Sequence, residues 1–299
     1  MAQLPVLHIG YPKAASKTLQ FGLFDRHSQI DNLGKPLTDQ RVPQWLHAVH
    51  AHDSVEYDAD AARRGYDELV APRLRPDKTL AVSYEAFTLP VHADRGLIAD
   101  RLHALFGPAK IVVNIRSQLD QLKSAYAFQH TRAKHALSFE DYVEQNWNKQ
   151  VNSWVTYLDY QKLIHRYVSL FGRENVGVFL FEDLVQNSEN YARQVCGFIG
   201  IDAAEGVRHL AGEHGNKARS ARLGSYTRLR KWFAPDVAFR KYVPSSVLSG
   251  FHAFIERGEK LRVNVPDALA DRIRDRFRDS NRLLAREFGL PLAERGYPT

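Results

Sequence analysis

His8-Ile9-Gly10-Tyr11-Pro12-Lys13-Ala14-Ala15-Ser16-Lys17-Thr18-Leu19-Gln20 joins an apolar run at residues 4–9 to a stretch that carries Leu19 and Leu23 four positions apart. The run reads as a short buried strand ending at Gly10. The stretch 16–26 reads as a helix with both leucines on one face. Such a turn has a chemical use. Small residues at 14, 15 and 16 let the backbone approach an anion, and a helix start offers unpaired N–H groups and partial positive charge. Lys13 and Lys17 add full charges, and Ser16 and Thr18 add hydroxyl donors. The plainer alternative is an ordinary strand–helix turn with surface lysines.

Working outward, residues 79–83, 111–115 and 176–181 are further short, mostly apolar runs. Helical patterns fill 59–70, 94–106, 117–131, 138–145, 152–171, 190–199 and 266–288, while the breakers Gly34, Pro36 and Pro43 make 28–58 read as irregular. Strands that alternate with helices and carry unbroken apolar runs imply a three-layer α/β domain with a central, mostly parallel sheet. The core is expected at about 4–200, and a basic loop and helical C-terminal additions at about 201–299, within a single domain. Ligands of such sheets sit at the carboxyl ends of the strands. That rule places residues 10–18, Tyr84-Glu85 and Arg116 on one edge.

The chain has 299 residues and a formal charge of +7. The basic excess suits a nucleotide, an acidic or sulfated glycan, or nucleic acid, and equally suits general solubility. One cysteine, Cys196, excludes an internal disulfide framework and a cysteine-built zinc cluster. No run of 18 apolar residues suggests a membrane span, and a cytoplasmic location is the expectation. His47, His50 and His52 lack the further ligands a metal needs, and line the acceptor site in the alternative reading. The arginines from 272 to 286 alternate with Asp271, Asp275 and Asp279, as on a salt-bridged helix face rather than a nucleic-acid surface.

A nucleoside-triphosphate loop, G-x-x-x-x-G-K-[ST], fits poorly. With Lys17-Thr18 as its final pair it demands glycine at 11 and 16, where Tyr11 and Ser16 stand. The magnesium carboxylate is missing too, because the third apolar run ends Val113-Asn114-Ile115-Arg116. An arginine at that exit suits a phosphate. Ser124, eight positions on, falls about two helical turns, or about 10 Å, along the next helix.

Tyr11-Pro12-Lys13, small residues, a hydroxyl residue and Leu19-Gln20 together resemble the 5′-phosphosulfate loop of sulfotransferases that use 3′-phosphoadenosine-5′-phosphosulfate (PAPS). The usual form is close to Tyr-Pro-Lys-Ser-Gly-Thr-Thr. Ala15 replaces the glycine, at small cost if the backbone there avoids positive φ, and Lys17 replaces the second threonine. Arg116, Asp120, Ser124 and Tyr126 resemble the family's 3′-phosphate motif, Arg-Asn-Pro-x-Asp-x-x-x-Ser-x-Tyr, with Ser117-Gln118 in place of Asn-Pro. Phe181-Glu182-Asp183-Leu184 and Phe198-Ile199-Gly200 resemble two further family segments.

The resemblance implies a P-loop NTPase-like fold and a metal-independent sulfotransferase with PAPS as co-substrate. Lys13 then donates to the bridging oxygen, while Ala14, Ala15, Ser16, Lys17 and Thr18 cradle the 5′-phosphosulfate. Arg116 and Ser124 hold the 3′-phosphate. Glu85, at the end of the second apolar run, is the expected base; a glutamate bracing a helix end or pairing with Arg116 is its alternative. Lys217, Arg219 and Arg222 are expected to close over the nucleotide. The acceptor is a hydroxyl or amine compound, with a carbohydrate hydroxyl as the leading expectation. Rival readings are a nucleoside or sugar kinase and a non-catalytic nucleotide- or glycan-binding module.

Overall fold

A computed structural model describes residues 3–35, 37, 39–89, 94–131, 137–149, 151–211 and 263–299. Lys217, Arg219 and Arg222, and with them the expected basic loop, lie outside the described residues.

Among the described residues five strands form one parallel sheet: β1 (Val6–His8), β2 (Ile30–Asn32), β3 (Thr79–Ser83), β4 (Lys110–Ile115) and β5 (Val176–Leu180), in the order β2-β3-β1-β4-β5. His8 lies in register with Ser83 on one side and Val112 on the other. All strands run the same way, so the residues that follow them emerge on one edge.

The strands other than β2 bury both faces, as their apolar runs require. The helices are α1 (Arg41–Ala51), α2 (Ala59–Leu69), α3 (Arg95–Phe106), α4 (Gln118–Thr131), α5 (Phe139–Trp147), α6 (Tyr160–Phe171), α7 (Phe181–Gln186), α8 (Ser188–Ile199), α9 (Ala203–Leu210) and α10 (Asp267–Phe288). Leu7, Val82 and Ile111 share a core with Leu102 of α3, Ile164 of α6 and Phe277 of α10. Val6, Ala81 and Val112 face the other way, onto Leu19, Leu23 and the α8 residues Val195 and Ile199. This is the expected three-layer α/β arrangement.

Three local expectations need correction. The stretch 28–58 contains β2 and α1. The helix after the β1 turn is π-helical over Thr18–Phe24, where the Asp25 N–H reaches back five residues to the Gln20 carbonyl at 3.1 Å. The helix expected over 152–171 begins only at Tyr160. Before it, Ser153 accepts from the N–H groups of Val155 and Thr156 and a 3₁₀ turn covers Thr156–Leu158.

α9 is fastened to the approach to β2 by one carboxylate. Glu205 accepts from the Ser28 N–H at 2.7 Å and the Ser28 hydroxyl at 2.6 Å, and lies 3.2 Å from His209 Nε2. These hydrogen bonds hold its pKa down at about 2. A depressed carboxyl contributes stability that is complete above its unfolded value near 4.5 and is lost as pH falls through the folded one. Glu205→Gln is therefore expected to lower stability at pH 7, with the gap to the parent narrowing as pH falls from 4.5 toward 2. Urea unfolding across that range checks this, and a gap constant with pH contradicts it.

Candidate active site

The turn after β1 is bent through two left-handed residues, with φ 72° at Lys13 and 67° at Ala15. Each such residue with a side chain stores roughly 1–2 kcal/mol. The expectation that Ala15 replaces a glycine at little cost held only for a backbone outside this region, and the backbone enters it.

Packing and hydrogen bonds hold the bend. Tyr11 is fully buried, with its ring 4.8 Å from Tyr157 and 4.7 Å from Tyr160. Such ring pairs contribute about 0.5–1.5 kcal/mol each beyond burial. The Tyr11 N–H donates to the Asn114 carbonyl at 3.3 Å, and the Gln121 side chain of α4 donates to the Pro12 carbonyl. Ser16 donates its hydroxyl to the Tyr11 carbonyl at 3.2 Å, so its side chain closes the turn. The Thr18 and Leu19 N–H groups both reach back to the Ala15 carbonyl, at 2.9 and 3.2 Å, where the helix begins. Ala14, Ala15, Ser16 and Thr18 are buried, whereas Lys13 and Lys17 are exposed. Beneath Gly10 lies His8, whose Nδ1 is 2.6 Å from Ser83 Oγ. Burial pushes this imidazole down to about 3 and keeps it neutral.

Arg116 comes directly to this turn. Its Nη1 lies 3.5 Å from the Lys13 carbonyl, and its guanidinium stacks over Phe181 at 4.5 Å. It makes no ion pair among the described residues; Asp120, four residues on, pairs with Lys123 at 2.6 Å. On α4, Gln121 touches Pro12, and Phe128 lies under the Lys13 ammonium at 5.0 Å. Ser124, three after Gln121 and four before Phe128, is on that same helix face. The structure therefore brings Arg116 to the turn that carries Lys13, and Ser124 lies on the α4 face whose Gln121 and Phe128 meet that turn. Asn114, where a nucleotide triphosphatase would need aspartate, donates its amide to the Tyr191 hydroxyl.

Glu85 follows β3 on the same edge. It pairs with Lys35, not Arg116, at 3.5 Å, and the Lys35 ammonium also lies 5.4 Å from the Tyr84 ring centre. His50 is buried and packs on Tyr84 at 5.3 Å, whereas His47, 5.5 Å from the His50 ring and 5.9 Å from the His52 ring, is exposed. Lys35 went unnoticed in the sequence because it sits between Gly34 and Pro36 in a stretch read only as irregular. Among the described residues no group of three His, Cys, Asp or Glu has the arrangement to hold a metal ion, and no helix is long and apolar enough to cross a membrane.

Residues 5–205 match the model of a sulfotransferase family, and the chain belongs to that family. Among solved structures, a sulfotransferase from Alicyclobacillus acidocaldarius is similar at 20% identity, over 80% of this chain and 94% of that one, with a TM-score of 0.50, and shares the fold. A mouse sulfotransferase complexed with PAP is a looser likeness, at 14% identity over 84% of this chain and 81% of that one, with a TM-score of 0.43. No curated protein matches the chain in sequence.

The Lys35–Glu85 contact depends on a close backbone crossing. A Cβ on Gly34 would fall 2.5 Å from the Ser83 backbone nitrogen. Gly34→Ala is expected to destabilise the protein by about 1–3 kcal/mol, as overpacking against backbone does. Urea unfolding measures it, and a change below about 0.5 kcal/mol contradicts the crossing.

Proposed function

We propose that this protein transfers a sulfuryl group from PAPS to a hydroxyl or amine of an acceptor, with a carbohydrate hydroxyl as the expected class. The observation that carries this reading is the contact between the two anion-binding segments, Arg116 Nη1 at 3.5 Å from the Lys13 carbonyl. A ligand with a phosphosulfate at one end and a separate phosphate at the other matches two adjacent cationic sites. Family membership supports the same chemistry. The turn suits the donor because the small residues Ala14, Ala15 and Ser16 let an anion approach the backbone at a helix start.

PAPS, when bound, supplies an activated sulfuryl group. The chain's own residues do the rest. Lys13 places its ammonium at the bridging oxygen, which takes the electron pair of the breaking S–O bond. The N–H groups at Ser16, Lys17 and Thr18 hold the 5′ end, with Ala14 and Ala15 keeping the backbone close. Arg116 and Ser124 hold the 3′-phosphate, and Lys217, Arg219 and Arg222 add charge there. Glu85 takes the proton the acceptor loses, with Lys35 orienting its carboxylate. None of these roles needs a metal ion.

Calorimetric titration with 3′,5′-adenosine bisphosphate, with and without EDTA, tests the donor. Metal-independent binding that Arg116→Ala weakens by about 10- to 100-fold is expected. Binding of ATP with magnesium alone would overturn the reading in favour of a kinase. With labelled PAPS and an accepted glycan, Glu85→Gln is expected to lower kcat by about 10²- to 10⁴-fold while bisphosphate affinity holds. Unchanged kcat would remove Glu85 as the base.

A further inference from the structure

Three consecutive residues at the β4 exit are gripped by three side chains from distant parts of the chain. The Tyr160 hydroxyl donates to the Arg116 carbonyl at 2.7 Å. The Ser117 N–H donates to Glu182 Oε1 at 3.0 Å. Gln118 and Asn281 of α10 exchange amide hydrogen bonds of 2.7 and 3.2 Å. Two of these holders are held in turn by residues beyond α10. The Tyr297 hydroxyl donates to Glu182 Oε2 at 2.8 Å, and Asn281 Nδ2 donates to the Pro298 carbonyl at 2.9 Å. Arg295 pairs with Asp183, next to Glu182. Gln118, Tyr160, Asn281 and Tyr297 are all buried.

These contacts bear on the guanidinium itself. Glu182, which holds the Ser117 N–H, directly follows Phe181, on which the Arg116 guanidinium stacks. The start of α7 thus fixes both the backbone after Arg116 and the plane of its side chain. A buried polar network with every member paired has one arrangement rather than several. Two-pronged recognition of a phosphate tolerates little movement of the guanidinium plane.

We propose that Tyr297 and Asn281, acting through Glu182 and Gln118, form a clasp that positions Arg116 for the 3′-phosphate. They are positioning residues and touch no nucleotide. The family's Asn-Pro at this point is Ser117-Gln118 in this chain, and Gln118 supplies the amide that α10 grips. The proposal rests on the reading of Arg116 as a 3′-phosphate ligand.

The test compares the full chain with Tyr297→Phe, Asn281→Leu and Arg116→Ala, titrated with 3′,5′-adenosine bisphosphate and with 5′-AMP, which lacks the 3′-phosphate. Tyr297→Phe and Asn281→Leu are each expected to weaken bisphosphate binding about tenfold and to leave 5′-AMP binding unchanged. Adding either change to Arg116→Ala is expected to cost no further affinity, because the group being positioned is gone. A general loss of stability would weaken both nucleotides and would add to Arg116→Ala. The two changes act on separate halves of the clasp, so either folded variant suffices.

If Arg116→Ala weakens the bisphosphate and the clasp variants do not, the clasp is overturned and the nucleotide reading stands. If the parent fails to bind the bisphosphate, or Arg116→Ala has no effect, the nucleotide reading fails and takes the clasp with it.

Discussion

Lys13 and Ala15 hold left-handed backbone angles that neither side chain favours, so the turn between them exists only because its surroundings impose it. The constraint comes from β4 and α4. Asn114 receives the Tyr11 N–H, Gln121 reaches the Pro12 carbonyl, and the Tyr11 ring is wedged between Tyr157 and Tyr160. Without these contacts the strain would relax and the turn would lose its bend. The same contacts carry Arg116 to the turn, because Asn114 and Gln121 flank it in sequence. Bending the loop and juxtaposing the two cationic segments are thus a single structural event.

This arrangement explains why so much buried polar chemistry gathers on one edge of the sheet. The neutral His8 bonds Ser83 under the turn, Glu182 accepts from Ser117 and Tyr297, and the Gln118–Asn281 pair ties α4 to α10. Burial pushes the Glu182 carboxyl upward, and its two hydrogen bonds pull the other way. The Glu182, Gln118 and Asn281 side chains lose water on folding and regain partners, so their network adds little net stability while selecting one geometry. The strained turn gains its definition from that selection.

Much of the fold was legible because four strands carry unbroken apolar runs and most helices have clear stops, such as Gly107, Gly200 and Gly289. β2 was not, since only Ile30 of its three residues is apolar and the strand lies at the sheet edge. α1 was hidden by Pro43, read as a breaker although it stands in the first turn, where a missing N–H costs nothing. The helix over 152–171 was drawn too long because aromatic spacing through Trp154 and Leu158 mimics a helix across a turn that Ser153 organises. At the site, the strand-end rule put the β1 turn and Arg116 on one edge, and Ser124 joined them only through the resemblance of its motif to the family's. Left-handed Ala15 was invisible because alanine rarely occupies that region. Lys35 and the clasp were invisible because they depend on contacts between residues far apart in sequence, 50 positions for Lys35 and Glu85 and 163 for Gln118 and Asn281.

The claim at the centre of the account is that one nucleotide bridges the β1 turn and the β4 exit. A crystal structure of the protein with 3′,5′-adenosine bisphosphate tests it most directly. The account predicts the 5′-phosphate at the N–H groups of Ser16, Lys17 and Thr18, and the 3′-phosphate on Arg116 and Ser124. A nucleotide bound away from the turn, or a 3′-phosphate touching neither Arg116 nor Ser124, would contradict it.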